Sequence, residues 1–428
     1  MNYEQAKAYV DRHIGLGGEP GLERIRELLD LMGNPHEGYP VIHIAGTNGK
    51  TSTSRLATLI LVAHGHTTGT YTSPHLQRIE ERLAVNGRFS TSEEFALAIS
   101  DVAGFADLRE GAGGVPNTYF ELTTAAAFAY FADQAVNVAV LEVGLGGRLD
   151  STNVVDADVC VVTSIGRDHA EYLGEDLRSI AAEKLAIAGL GSILVTGPLP
   201  EVAMEEANNR ARELGIQHRR FDTDYGVGEY ERGVGGWLVT IRGAETTYDD
   251  MFLPLHGRYQ LTNLAMAIAA VEALVGRKLD VDAIRDAAAV ATAPGRMEAL
   301  ASSPFVMIDG AHNADGVATL VESLQVEYPT TRWQVLLGVM GDKNVELIVD
   351  HLAPVVKGVV TTAVDAKRAV PPIELAERVR KVLGDVPVLV SENVEFGLDM
   401  ARAEAGSQGA VLVTGSLYLV GEVRDLLT

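Results

Sequence analysis

Gly46-Thr47-Asn48-Gly49-Lys50-Thr51-Ser52 is a run of residue types that can hold a polyphosphate. The two glycines let the backbone curl so that successive N–H groups face inward, and a helical pattern follows whose N-terminal end is positive. Lys50 would reach the β- and γ-phosphates of a nucleoside triphosphate, and the Thr51 hydroxyl offers a ligand to Mg²⁺. The usual spacing G-x-x-x-x-G-K-[ST] would require glycine at position 44, which is Ile44, so the loop is a shortened variant. The competing reading is a glycine-rich turn with an incidental lysine. A strand before, a helix after and an intact Gly-Lys-Thr favour the phosphate loop.

Other residues carry chemistry at run ends. Glu142 closes the apolar stretch VAVLE (138–142) and opens a glycine-rich loop. A carboxylate there is costly unless it meets a cation or donors, and the C-terminal ends of parallel strands are where α/β sheets build sites. Its bland alternative is to cap a neighbouring helix. His169 follows VCVVTSI (159–165); on residue type alone, a satisfied structural histidine leads. Ser73 ends TGTYTS (68–73) and by itself reads as a turn serine. Lys184 lies in a helical stretch, 178–188, where Ile180, Leu185 and Ile187 imply partial burial. Burial favours a neutral amine, which can take up CO₂ as a carbamate; the alternative is an ammonium paired with Glu183 or another acid. The pair His64 and His66 reads as exposed loop rather than a metal site. No Ser–His–Asp or Cys–His nucleophile arrangement is discernible.

These residues need a scaffold, and nine short apolar runs supply it: 41–46, 138–147, 159–166, 192–197, 305–312, 333–341, 358–363, 387–392 and 410–416. Rich in Val, Ile and Leu, they predict strands buried on both faces of parallel sheets. Helical stretches lie between them at 52–64, 119–134, 178–188, 261–275 and 372–383. The alternation predicts an α/β protein. Residues 218–254 alternate without a long helix and predict a small antiparallel patch. After helix-like 281–291, Thr292-Ala293-Pro294-Gly295 marks a boundary. The expectation is an N-terminal P-loop ATPase domain, 1–292, with a mostly parallel sheet plus that patch. A linker, 293–297, leads to a smaller Rossmann-like α/β domain, 298–428.

Composition limits the partners. The chain has 428 residues, 47% hydrophobic and 22% charged, which suits a globular protein. Its 35 basic against 58 acidic residues leave a net charge of −23, which argues against nucleic-acid or anionic-membrane binding. An anionic substrate must therefore be held by a local pocket. The single cysteine, Cys160, leaves no disulfide framework or cysteine-based zinc site and suits a reducing cytoplasm. The polar start MNYEQAKAYVDRHIG is unlike a signal peptide, and no apolar run approaches the ~20 residues that span a bilayer. A cytoplasmic monomer acting on small molecules is expected.

The phosphate loop GTNGKTS resembles that of the Mur ligase superfamily, and further blocks narrow the resemblance. YTSPHL (71–76), TYFELTTAAAF (118–128), LEVGLGGRLDSTN (141–153), TSIGRDHAEYLG (163–174), AAEK (181–184), HGRYQLTN (256–263), PGRME (294–298) and DGAHN (309–313) follow in the order of the folylpolyglutamate synthase/dihydrofolate synthase family. The likeness spans about residues 20 to 416. It implies ATP-dependent addition of L-glutamate to dihydropteroate, to the γ-carboxylate of reduced folates, or to both, through an acyl phosphate. It also implies roles. Thr47, Asn48, Gly49, Lys50 and Thr51 would bind ATP together with Asn263, Arg296 and Asp309. Thr51, Ser73, Glu142 and His169 would hold Mg²⁺. Thr118, Tyr119, Phe120 and Glu121 would border the pterin, and Leu149, Asp150 and Ser151 would contact the pteroate. On residue type alone, Tyr119 and Phe120 read equally as core at a helix start. His312 and Ser416 would serve the incoming glutamate, and Lys50, Lys184, His169 and His312 make up the catalytic set. Many Mur-type ligases carry a carbamylated lysine at the position of Lys184.

Two alternatives remain. Another Mur-superfamily amino-acid ligase shares the loop, although the peptidoglycan type commonly carries a UDP-binding segment before it, and only 45 residues precede Gly46. A non-catalytic ATP-binding regulator would be expected to lack a metal ligand or lysine, yet Thr51, Ser73, Glu142, His169 and Lys184 are all present.

Overall fold

The computed structural model describes residues 1–16, 19–168, 174, 176–364, 366 and 368–428. Its largest sheet has eight strands: β1 (Val41–Ala45), β2 (Thr68–Tyr71), β3 (Leu83–Val85), β4 (Arg88–Phe89), β5 (Val138–Glu142), β6 (Val159–Val162), β7 (Ile193–Thr196) and β8 (Gln217–Arg220). They lie in the order β4-β3-β2-β5-β1-β6-β7-β8, parallel from β2 to β8 and antiparallel where β3 and β4 join.

The apolar runs become central strands because helices cover both faces, so every residue of a run finds a core. Ile42, Ile44, Val138 and Val140 pack on one face with Leu56 and Ile60 of the helix Lys50–Ala63 and with Leu264 and Ile268 of the helix Tyr259–Val275. Val41, Ala139 and Leu141 face the other way, onto Phe128 and Phe131 of the helix Tyr119–Asp133 and Phe95 of the helix Ser92–Gly111. This is the period of two that a pleated strand imposes.

The helix Tyr259–Val275 is apolar on nearly all sides because it is enclosed. One side meets the large sheet, and another meets a three-stranded antiparallel sheet of β9 (Gly226–Gly233), β10 (Gly236–Arg242) and β11 (Thr247–Leu253), whose Trp237, Val239, Ile241 and Tyr248 complete the same core. The antiparallel patch expected over 218–254 is this sheet with one difference. Residues 217–220 instead extend the large sheet as parallel edge strand β8. Gln-His-Arg-Arg has no apolar signature, since the inward Arg219 is satisfied by Glu245 at 2.9 Å.

The third sheet holds β12 (Glu298–Ser302), β13 (Phe305–Ile308), β14 (Trp333–Leu337), β15 (Val356–Thr361), β16 (Val388–Val390) and β17 (Ala410–Thr414) in the order β12-β13-β17-β14-β15-β16. All pair in parallel except β12 with β13. Helices again cover both faces, with Trp333 and Val335 on one side and Leu336 and Val360 on the other. The architecture is the expected one: a mostly parallel N-terminal sheet with an antiparallel appendage, followed by a smaller α/β unit. No helix among the described residues is long and apolar enough to cross a membrane.

Ile268 is fully buried between the two N-terminal sheets. Ile268→Ala should lower unfolding free energy by about 2–5 kcal/mol, read as a shifted midpoint in urea denaturation.

Candidate active site

Strand β1 delivers the phosphate loop to the C-terminal edge of the large sheet, where β1 lies between β5 and β6 and the strand order reverses. The loop is clamped onto the segment after β6. Thr47 N donates to Ser164 O at 2.9 Å, Asn48 N to Ser164 Oγ at 2.9 Å, and Thr163 Oγ1 to Asn48 O at 2.6 Å. Gly46 is required by this closeness, because a Cβ there would stand 1.9 Å from Thr163 Oγ1. Gly49 has φ +88° as the chain turns into the helix Lys50–Ala63. Lys50 Nζ folds back to donate to Gly46 O at 3.0 Å and Thr47 O at 3.3 Å. Burial lowers its pKa, and Glu142 and Asp168 oppose that shift.

Beside Lys50, oxygen donors gather. Thr51 Oγ1 donates to Glu142 Oε1 at 2.9 Å, and Ser73 N donates to Glu142 Oε2 at 3.4 Å. Glu142 is 1% exposed, and desolvation raises its pKa despite Lys50 nearby. Ser73 Oγ is also buried and has no hydrogen-bond partner among the described residues. A carboxylate and two hydroxyls, one of them unsatisfied, are hard donors suited to a small divalent cation that keeps phosphate and water ligands. Among the described residues no group of three His, Cys, Asp or Glu side chains forms a closed metal cage. His169 lies outside the described residues.

Lys184 enters from the helix Leu177–Leu185. It is 6% exposed, and its pKa is lowered to about 7, first by desolvation and then by Lys50. The partner that the alternative reading offered is engaged elsewhere: Glu183 takes Arg148 at 3.0 Å. No described carboxylate pairs with Lys184.

The C-terminal unit supplies the opposite wall. Asp309 directly follows β13 and accepts from Met297 N at 2.9 Å and Ala311 N at 2.8 Å, while Arg296 acts on it from the connecting segment. Asn263 Nδ2 donates to Gln260 Oε1 at 2.9 Å, leaving its carbonyl oxygen beside Gly49. His312 Nδ1 meets Gly310 O at 2.8 Å, and Nε2 is 3.6 Å from Asp168. Asp168, at the loop after β6, also accepts from Asn313 Nδ2 at 2.9 Å and from Lys343 Nζ. The two units are therefore tied across the site.

A cavity of about 630 Å³ lies between them. Its wall brings together residues 47–51, Ser73, Glu142, Lys184, Asn263, Arg296, Asp309 and His312. Lys50, Arg55, Arg167, Lys184 and Arg296 balance Glu81, Glu142, Asp168, Asp309 and Asp315 there, in a chain that is otherwise strongly acidic.

Other expected residues do not line this wall. Thr118 and Glu121 form a capping box for the helix Tyr119–Asp133, and Glu121 is held by Arg24 at 2.8 Å and Asn117 at 3.0 Å. Tyr119 lies under Arg82, and Phe120 packs on Tyr71 and against Gly144. Asp150 accepts from the N–H groups of Gly144, Leu145 and Thr152, which fixes the loop after β5. Ser151 is buried beside it, whereas Leu149 is partly exposed. Ser416 is the buried N-cap of the helix Leu417–Leu427. Residues on the cavity that sequence reading passed over are Arg55, Glu81 and Asp168; Lys343, which anchors Asp168, was also missed. Arg55 had a usable signal, lying four residues after Thr51 on a helix.

A phosphate loop in one α/β unit that faces a second across a shared cavity is the plan of the Mur ligases, which are ATP-dependent. The Mur ligase middle domain matches residues 44–271, and the Mur ligase glutamate ligase domain matches residues 295–417. Within that class, the chain belongs to the dihydrofolate synthase/folylpolyglutamate synthase family. It is 37% identical to the Mycobacterium tuberculosis dihydrofolate synthase/folylpolyglutamate synthase, over 95% of this chain and 90% of that protein. Identity to the Escherichia coli counterpart is 34%, over 95% and 91%. Folylpolyglutamate synthase of M. tuberculosis, solved in complex with ADP, superposes with a TM-score of 0.95 at 36% identity, covering 99% of this chain and 98% of that one. An E. coli structure in complex with DHPP and ADP gives 0.88 at 31% identity, covering 100% and 97%.

Lys50→Ala removes the only lysine of the phosphate loop while leaving its backbone clamp intact. Turnover should fall roughly 100-fold or more with the unfolding midpoint little changed, as steady-state ADP release and thermal denaturation would show.

Proposed function

We propose that this protein uses ATP to join L-glutamate to dihydropteroate, to the γ-carboxylate of reduced folates, or to both. An acceptor carboxylate oxygen attacks the γ-phosphorus of ATP, and ADP leaves. The glutamate amine then attacks the acyl phosphate, phosphate departs, and the amine loses a proton as the amide forms. The observation that carries this reading is the convergence of the phosphate loop, the Thr51–Ser73–Glu142 cluster and Lys184 on one cavity shared with Arg296, Asp309 and His312. Phosphoryl transfer needs position and charge neutralisation more than a protein nucleophile.

In this reading the loop 47–51 and Arg296 hold the phosphates, with Asn263 and Asp309 toward the base and ribose. Thr51, Ser73 and Glu142, with His169, would hold Mg²⁺; the unsatisfied Ser73 hydroxyl supports this assignment. When bound, the ion neutralises charge on the phosphate oxygens. The pterin side of the acceptor would lie beyond Gly144, near Thr118, Tyr119 and Glu121; the contact of Phe120 with Gly144 at the cavity wall supports this. Leu149, Asp150 and Ser151 set the loop that would guide the pteroate. His312 and Ser416 mark the glutamate end. Residues 293–297 are proposed as the joint between units 1–292 and 298–428.

The deciding experiment supplies dihydropteroate and tetrahydrofolate separately with ATP, Mg²⁺ and L-glutamate and identifies products by mass. A glutamylated product accompanied by ADP is expected from at least one acceptor. No such product from any pteroate or folate would overturn the assignment.

We further propose that Lys184 is carbamylated. Its burial, its lowered pKa and the engagement of Glu183 by Arg148 all support a neutral amine at this position. Only the neutral amine takes up CO₂, so the modified fraction should fall as pH drops through about 7. With ¹³C-bicarbonate, a carbamate carbon signal is expected at pH 8, weaker at pH 6 and absent from Lys184→Ala. The alanine variant should lose most activity and regain part of it with a short carboxylic acid. Wild-type protein without the signal, together with an active Lys184→Ala, would exclude the modification.

A further inference from the structure

Arg55 lies one turn beyond Thr51 on the helix Lys50–Ala63, so both side chains leave the same face and both line the cavity. Its guanidinium carbon lies 5.3 Å from the centroid of the Phe89 ring. Stacking on an aromatic face orients the guanidinium plane without consuming its five N–H donors. Among the described residues, none forms an ion pair with Arg55 or accepts a hydrogen bond from it.

The carboxylates that act on Arg55 are committed elsewhere. Glu81 accepts from the backbone N–H groups of Leu76, Gln77 and Arg78 at 2.8, 2.9 and 2.9 Å. Glu142 is held by Thr51 and Ser73. By contrast, the half-buried Arg24 pairs with Glu121 and the buried Arg109 with Glu27. Burial lowers the pKa of Arg55, with Glu81 and Glu142 opposing the shift, so the cation is partly desolvated without direct neutralisation.

A preset, unneutralised planar fork on a cavity wall is a receptor for a planar anion. The polyphosphate already has the loop, Lys50 and Arg296. Arg55 lies about 6 Å farther along the helix axis than Thr51, past the oxygen-donor cluster. We propose that Arg55 grips a carboxylate of a co-substrate and sets it against the Thr51–Ser73–Glu142 cluster. This rests on the ligase reading above. Both the acceptor and the incoming glutamate carry such a group, and the assay separates them.

Arg55→Gln and Arg55→Lys are made in the full chain, and ATP, L-glutamate and the acceptor are varied in turn. Arg55→Gln should raise KM for one carboxylate co-substrate roughly 10- to 100-fold, with KM for ATP within about twofold of wild type. Lysine, a point donor, should restore only part of the loss. The co-substrate whose KM moves identifies the carboxylate. A rise in KM for ATP alone, or a fall in kcat with every KM unchanged, would overturn the proposal. An inactive wild type would instead count against the ligase reading. In that case calorimetric titration of the ADP-bound protein with each carboxylate compound decides: weaker binding in Arg55→Gln supports the proposal, and equal or absent binding refutes it.

Discussion

The site is organised around one buried charge, the carboxylate of Glu142 at the end of β5. Parallel pairing with β1 and β2 places it beneath two loops at once, and it holds both, Thr51 by its hydroxyl and Ser73 by its N–H. Two hydrogen bonds do not offset the desolvation of an ionised carboxylate, and burial raises its pKa. Lys50 opposes that shift without cancelling it. The polypeptide has thus buried a carboxylate whose fixed partners are two neutral donors, with the Lys50 cation acting on it. The phosphate loop, the loop after β2 and the helix bearing Lys184 are arranged around it.

The second constraint is that neither unit encloses the cavity alone. Asp168 from the first unit is held by Asn313 and Lys343 from the second. On the far side, the backbone of Leu76 lies so close to the helix Leu417–Leu427 that a Cβ on Gly421 would stand 2.1 Å from Leu76 O, while Gln77 bonds Asp425 and Arg424. These contacts flank the cavity, so the distance between phosphate loop and Asp309 depends on polar links that can exchange with water.

Much of this was legible in the residues. Strands buried on both faces leave unbroken apolar runs, and the glycines that follow them mark the loops, so the parallel sheets and the phosphate loop could be read directly. What escaped notice was polar structure. Strand β8 is Gln-His-Arg-Arg, and β3 and β4 are three and two residues long, too short for a pattern. Glu121 was expected beside the pterin by resemblance; the same Thr-x-x-Glu is also a capping box, which the structure forms. Asp150 similarly closes its own loop. The pairing of Asp168 with Lys343 joins residues 175 apart and has no local signature.

Charge is what links composition to the site. The surface of a chain with net charge −23 repels nucleotides and polycarboxylates at long range, but at physiological ionic strength that field decays over about 8 Å. Selection must therefore happen inside the cavity, where the dielectric is lower and each cation counts for more. Five cations face five carboxylates on the wall, and three of those carboxylates accept from neutral donors: Glu81 from the loop 76–78, Glu142 from Thr51 and Ser73, Asp309 from Met297 and Ala311. With those acids held by neutral donors, Arg55 and Lys184 form no ion pair among the described residues. An acidic protein thereby becomes a receptor for anions.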